Sequence, residues 1–105
     1  MTNTIQEIST PNAPAPLPVF SQAIKANGFV FVSGNIGLIA GTWTLVEGGI
    51  QAQTEQTLQN IKAVLEAAGS SFEKILKLNI YLKDHGDFKA MNEVYITHFP
   101  GRKPG

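Results

Sequence analysis

The run Phe20-Ser21-Gln22-Ala23-Ile24-Lys25-Ala26, then Asn27-Gly28, then Phe29-Val30-Phe31-Val32-Ser33, decides the fold. Asn-Gly between two β-prone runs is the strongest short-range hairpin signal, because a type I′ turn needs positive φ at both central residues. An antiparallel hairpin follows. Its second strand is apolar almost throughout, which predicts burial on both faces and a central place in its sheet.

Upstream, Asn3 to Ser9 alternates around Ile5 and Ile8 and fits a short strand or an ordered arm. Pro11, Pro14, Pro16 and Pro18 then forbid a helix, since each lacks an amide donor and drives its predecessor toward extended geometry. Downstream, Gly34, Gly37 and Gly41 break the chain, and Trp43 to Glu47 has the composition of another short strand. Ile50 to Ala68 places Leu58, Ile61, Val64, Leu65 and Ala68 three and four apart, the spacing of one helix face, with Gly69 where a left-handed cap belongs. Ser70-Ser71-Phe72-Glu73 has the form of a capping box. From Ile75 to Lys83 a period of two predicts a strand, with Leu76, Leu78, Ile80 and Leu82 on its drier face. A second helix runs from about Asp87 to Phe99, carrying Phe88, Met91, Tyr95 and Phe99 on one stripe, with Asp84 or Asp87 as N-cap. Strands and helices in this order form an α+β or βαβ unit with its helices on one face of a shared sheet.

The 105 residues fit one domain, 1–105. Eight Lys+Arg balance eight Asp+Glu, and only 15% of residues are charged against 43% hydrophobic. This composition is too apolar for a disordered chain and predicts self-association. Arg102-Lys103 is the densest basic cluster, so direct nucleic-acid binding is disfavoured. The chain has no cysteine, which excludes disulfides, thiolate zinc sites and thiol nucleophiles from these residues. No stretch approaches the roughly 18 to 20 apolar residues of a membrane span, and residues 1–9 have neither secretory nor transit character. A soluble, cytoplasmic protein is expected, with a mitochondrial place open.

Several stretches together resemble one family. They are Phe20-Ser21-Gln22-Ala23-Ile24, Phe31-Val32-Ser33-Gly34, Asn60-Ile61-Lys62-Ala63-Val64-Leu65-Glu66-Ala67-Ala68-Gly69, Tyr81-Leu82-Lys83-Asp84, and Asp87-Phe88 through Met91-Asn92-Glu93-Val94-Tyr95. In this order they are similar to the small trimeric imine/enamine deaminases of the YjgF/YER057c/UK114 type, also called RidA. The resemblance implies a chorismate-mutase-like α+β domain, a mixed sheet with two helices on one face. Three sheets would assemble into a barrel-like homotrimer with clefts between subunits. It further implies hydrolysis of reactive 2-imino acids and enamines to 2-oxo acids and ammonia, with no metal or organic cofactor.

The resemblance also implies the site. Phe20 takes the place of the family's cleft tyrosine, so its hydroxyl is absent and packing or stacking is left. Ser33 and Gly34 match the cleft serine and glycine, Asn35 replaces the usual glutamine with a shorter amide, and Asn92 matches an asparagine that lines the cleft. The family's carboxylate-binding arginine follows a Lys-Pro-small stretch, here Lys103-Pro104-Gly105, and would be the next residue. A cleft glutamate in a final strand lies further on. Catalytic residues are therefore not assigned within these 105 residues, which are expected to lack the family's final strands. Arg102 is no substitute, since four extended positions displace a side chain by up to ~13 Å. An incomplete sequence is the favoured explanation; a partner chain or swapped segment that completes the sheet, and a degenerate member, are the others.

The remaining polar residues carry blander readings. His85 and His98 are thirteen apart and form neither triad nor metal spacing, so satisfied or solvated histidines are expected. Glu47, Glu55, Glu66, Glu73 and Glu93 are scattered over solvated faces, with Lys89 and Glu93 an ordinary helix-surface pair. Ser33-Gly34-Asn35-Ile36-Gly37 lacks the Gly-Lys-Ser/Thr of a phosphate cradle and reads as a turn or a ligand-facing loop. Besides the deaminase, two functions remain open: a module that binds small carboxylates without turnover, and an RNA-cleaving translation inhibitor, which zero net charge disfavours.

Overall fold

The computed structural model describes residues 5–16, 20–42, 44–101 and 103–105. The expectations that involved Asn3, Pro18, Trp43 and Arg102 lie outside these residues. Three antiparallel strands, β1 (Gln6–Ile8), β2 (Ala23–Ala26) and β3 (Phe29–Val32), form a sheet in the order β1-β2-β3. The hairpin turn is as expected, with Asn27 at φ 55° and Gly28 at φ 83°. The N-terminal alternation around Ile8 forms β1.

Register sorts the sheet into two faces. Ala23 pairs with Ile8 on one side and Val32 on the other, and Lys25 pairs with Val30 on the same face. Ile8, Ala23, Val30 and Val32 pack with Ala13, Ala63, Val64 and Ala68 into the core against helix α1 (Gly49–Ala67). The opposite face carries Glu7, Ile24 and Phe31 in one row and Ala26 with Phe29 in the next. There Phe29 is 52% and Phe31 64% exposed. The expectation that β3 is central and buried on both faces is therefore corrected. Among the described residues β2 is central and β3 is an edge, with its two outer rings 6.2 Å apart between centroids.

Helix α1 ends as predicted. Gly69 takes φ +80°, and the Ala68 carbonyl accepts a 2.9 Å bond from Lys25 Nζ, which reaches past the helix end from the inner sheet face. Leu58, Val64, Leu65 and Ala68 are buried and Ile61 is half-buried. The second helical region is shorter than expected. Helix α2 spans Phe88–Tyr95, and a 3-10 turn, Ile96–His98, carries the chain to Phe99. Of its stripe, Met91 and Phe99 are buried while Phe88 is exposed. Tyr95, Phe99 and Phe72 stack in a row with centroids 4.9 and 5.5 Å apart. Burial raises the pKa of the Tyr95 phenol above its usual value.

Local detail departs from the expectations as well. Ser71 precedes a 3-10 turn, Phe72–Lys74, and its side chain makes no cap bond there. Of the two N-cap candidates, Asp87 stands at the N-cap position of α2 without a side-chain cap bond, and Asp84 caps Gly86 N in the preceding turn His85–Asp87 at 2.9 Å. Glu93 accepts from Gln51 Nε2 at 3.1 Å, and among the described residues no ion pair joins it to Lys89.

The predicted strand from Ile75 to Lys83 is the largest departure. The segment is irregular by pairing, although Leu78 N donates to Gly105 O at 2.9 Å and Gly105 N to Leu76 O at 2.9 Å. That two-bond pattern is a parallel bridge centred on Lys77. Of the expected drier face, Leu78 and Leu82 are half-buried but Leu76 and Ile80 are exposed, and among the described residues no ladder is assigned to the segment. Near Leu45 the other predicted strand is reduced to a single bridge with Leu38. No helix is long and apolar enough to cross a membrane among the described residues.

Candidate functional site

Where β3 ends, the chain is fixed by polar bonds rather than by packing. Ser33 N donates to Gln22 O at 3.0 Å, and the Ser33 hydroxyl donates to Ser21 O at 2.6 Å. Asn35 Nδ2 donates to Ser33 O at 2.8 Å. The Ser33 proton is thereby committed to the backbone, so the oxygen offers lone pairs outward, and Asn35 keeps its amide oxygen as a further acceptor. Ser33, Gly34 and Asn35 all line a cavity of about 930 Å³ bounded by β3, α1 and residues 74–82.

Two devices from α1 hold the loop that follows. At Gly37 an added Cβ would sit 2.9 Å from both Gln53 Cα and Gln53 O, so only glycine lets the loop touch the helix backbone. Asn60, 1% exposed, donates from Nδ2 to Ile36 O at 3.1 Å and to Leu38 O at 2.9 Å, and accepts from Gln56 Nε2 at 2.9 Å. Every polar atom of that side chain is satisfied, as a buried amide must be.

On the other side of Ser33, Gln22 ties down the proline-rich arm. Its Oε1 accepts from Thr10 N at 2.6 Å, and its Nε2 reaches Thr10 O, Ala13 O and Pro14 O at 3.0, 3.3 and 2.9 Å. Phe20, 61% exposed, lines a separate hollow of about 140 Å³ with Glu7, Pro16 and Ser21. The expected site residues are thus partly brought together. Ser33, Gly34 and Asn35 share one loop; Phe20 stands across the Ser21–Ser33 bond from them; Asn92 is half-buried on α2 and lines neither hollow.

Gln22, Asn60 and the Ser21 carbonyl were not anticipated as builders of this loop. Asn60 had a legible signal, an amide flanked by Leu58, Ile61 and Val64 on an otherwise apolar face. His98 makes a satisfied contact, Nε2 to Glu55 Oε1 at 2.9 Å, with Phe72 edge-on at 5.7 Å. Glu55 also accepts from Gln59 at 2.7 Å, and these two hydrogen bonds, Gln59 first, hold its carboxyl below the usual range. Among the described residues no three His, Asp or Glu side chains converge as a metal site would require.

Comparison with known proteins agrees with this geometry. The Endoribonuclease L-PSP family model matches residues 10–105. A RutC family protein of Pyrococcus horikoshii is 50% identical over 97 residues, 92% of this chain and 77% of that protein. The 2-iminobutanoate/2-iminopropanoate deaminase of Mus musculus is 38% identical over 97 residues, 92% of this chain and 72% of the deaminase. The crystal structure of yeast Mmf1 superposes with a TM-score of 0.94 at 40% identity, covering 97% of this chain and 81% of the yeast one.

Proposed function

Since the chain belongs to the Endoribonuclease L-PSP family, the RidA/YjgF/UK114 group, we propose that it serves the hydrolytic deamination of reactive 2-imino acids to 2-oxo acids and ammonia. The observation that carries this reading is the match to the mouse deaminase, which runs through 92% of this chain and includes the Ser33 loop. The loop's chemistry supports it. A protonated imine is a hydrogen-bond donor, and Ser33 Oγ, with its proton given to Ser21 O, is an acceptor set beside the Asn35 amide. Water adds to the imine carbon, the nitrogen takes up the proton, and collapse of the carbinolamine breaks the C–N bond to leave a carbonyl and ammonia. Orientation of the imine supplies most of the acceleration such a step needs.

In this proposal the substrate carboxylate is held by a guanidinium following Gly105, and sites form between copies in a trimer. The outer sheet face favours such assembly: Ile24, Phe29 and Phe31 present apolar area that burial would stabilise at about 25 cal/mol per Å². A cytoplasmic place is part of the same proposal. Phe20, having no hydroxyl, favours a second reading in which the cleft binds small carboxylates without turnover. Zero net charge gives no support to the RNA-cleaving alternative.

The test supplies 2-iminobutanoate generated in place by an amino-acid oxidase and follows ammonia release. The chain extended by an arginine-bearing segment is expected to accelerate release at least tenfold, and Ser33→Ala in that chain to lose most of it. No acceleration by the extended chain refutes the deaminase; saturable 2-oxobutanoate binding without turnover establishes the second reading instead.

A further inference from the structure

We propose that Asn27-Gly28 is a site of self-modification, at which the folded hairpin converts asparagine to aspartate and isoaspartate through a cyclic imide. The Gly28 amide nitrogen, its proton taken by hydroxide, attacks Asn27 Cγ and closes a five-membered ring. The side-chain nitrogen takes a proton from water and leaves as ammonia, which returns the hydroxide. Water then opens the ring. Attack at Cγ restores the ordinary main chain and leaves aspartate; attack at the Asn27 main-chain carbonyl leaves isoaspartate, in which the chain runs through the side chain.

The fold leaves both reacting groups free. Ladder pairing closes at Ala26 with Phe29, so Asn27 and Gly28 stand outside it, and both are exposed. Among the described residues neither the Gly28 amide nor the Asn27 carboxamide has a hydrogen-bond partner. A Cβ added at Gly28 would meet nothing within 4 Å, so water and hydroxide reach the nitrogen from that side. Asn27 is also the one asparagine of the sequence followed by glycine; elsewhere the next residue's side chain crowds the attacking nitrogen. Asn35 and Asn60 are further held by the bonds of their carboxamides, and Asn92 lies within α2.

The turn governs the rate. Ring closure needs Gly28 N eclipsed with Cβ about the Cα–C bond, which for an L-residue means ψ of about −120°, the value a type II′ turn has at this position. The type I′ turn seen here, with φ 55° at Asn27 and 83° at Gly28, has ψ of about +30°, which turns the nitrogen away from the side chain. One movement joins the two. Rotation of the peptide plane between Asn27 and Gly28 keeps φ positive at Asn27 and carries φ of Gly28 to about −80°. Both turns close a two-residue hairpin, so the ladder from Ala26 with Phe29 to Ala23 with Val32 stays shut throughout. Glycine suits the first position of a II′ turn better than asparagine, so the flipped form is a minor state and the folded chain converts more slowly than a free peptide. Each event adds one negative charge to a chain of zero formal net charge. Isoaspartate also adds a main-chain atom between Ala26 and Phe29, which a two-residue turn cannot take without releasing that pair.

The 105-residue chain is kept in mildly alkaline buffer and followed by peptide mapping, with enzymatic methylation to mark isoaspartate. Conversion at Asn27 is expected at least tenfold faster than at any other asparagine, with an acidic shift of one charge on isoelectric focusing. Hydroxylamine added to the folded chain is expected to cut it between Asn27 and Gly28 by trapping the imide. Asn27→Gln, which would have to close a six-membered ring, is expected to lose both the cut and the shift. Urea below the unfolding transition separates the routes: conversion should hold constant while the Phe29 amide exchanges tenfold faster. Conversion that rises in step with that exchange assigns the chemistry to the opened hairpin and overturns the proposal. So does an intact Asn27 after about a hundred half-lives of the free peptide of residues 25–30.

Discussion

Replacing Asn60 with alanine should be the most damaging single change that leaves the hydrophobic core untouched. Asn60 is 1% exposed and makes three hydrogen bonds, two of them to the Ile36 and Leu38 carbonyls. Removing a buried donor costs about 1 kcal/mol per bond, and stranding its acceptors adds about 1–3 kcal/mol. The small void left behind adds less, so a loss of about 3 kcal/mol is expected. With a urea slope of about 1.5 kcal/mol per M for a domain of this size, the midpoint moves down by about 2 M. Asn60→Asp keeps the shape but brings carboxylate oxygen against two carbonyls, and should be at least as harmful. Urea melts followed by circular dichroism measure both, and amide exchange at Ile39 and Val46, whose bonds to Thr44 O and Gly37 O close the same loop, reports the local opening. A midpoint shift under 0.3 M for Asn60→Ala, about 0.5 kcal/mol on that slope, would show that the loop does not hang on this amide.

Lys25→Met keeps the aliphatic stem but loses the bond to the Ala68 carbonyl at the negative end of α1. It should cost about 1 kcal/mol, a fall in Tm of roughly 4–8 °C by calorimetry, and a fall below 1 °C would contradict the cap. Acid should also be felt at Glu55. Its folded pKa is depressed, so its bonds to Gln59 and His98 stabilise the fold fully above the unfolded carboxylate range and cease to do so as pH drops through the folded value. The Tm difference between the native chain and Glu55→Gln should therefore shrink as pH falls below about 4.5; a difference constant from pH 6 to 3 would remove Glu55 from the acid response. The effect is small because the carboxylate is half-exposed.

Legibility in the sequence followed the range of the interaction concerned. The turn at Asn27-Gly28 and the cap at Gly69 were readable because a positive φ is a demand on one or two residues. Helix α1 was readable because its face repeats within its own 19 residues. Residues 75–83 misled because alternation states which side is dry, whereas strand formation depends on a neighbour far away in sequence. The Ser33-Gly34-Asn35 loop was found through resemblance, and its supports were hidden for the same reason: Asn60 lies 24 residues from Ile36, and Gln22 lies 12 from Thr10. Phe20 and Asn92 entered the site by correspondence alone, and within one copy the fold keeps both out of the groove that Ser33 lines.

The all-apolar run Phe29-Val30-Phe31-Val32 carries two requirements that a single chain meets only in part. Side chains project normal to a sheet, so Val30 and Val32 find α1 while Phe29 and Phe31 look outward. The same register that gives the core its valines therefore leaves two rings for an outer partner, and no repacking within one copy can turn them inward without turning Val30 and Val32 out. A second copy stacked on this face would remove apolar area from water at about 25 cal/mol per Å², so Phe31→Ala should weaken self-association, read by analytical ultracentrifugation, while leaving the core against α1 in place; association unchanged by Phe31→Ala would show that the copies meet elsewhere.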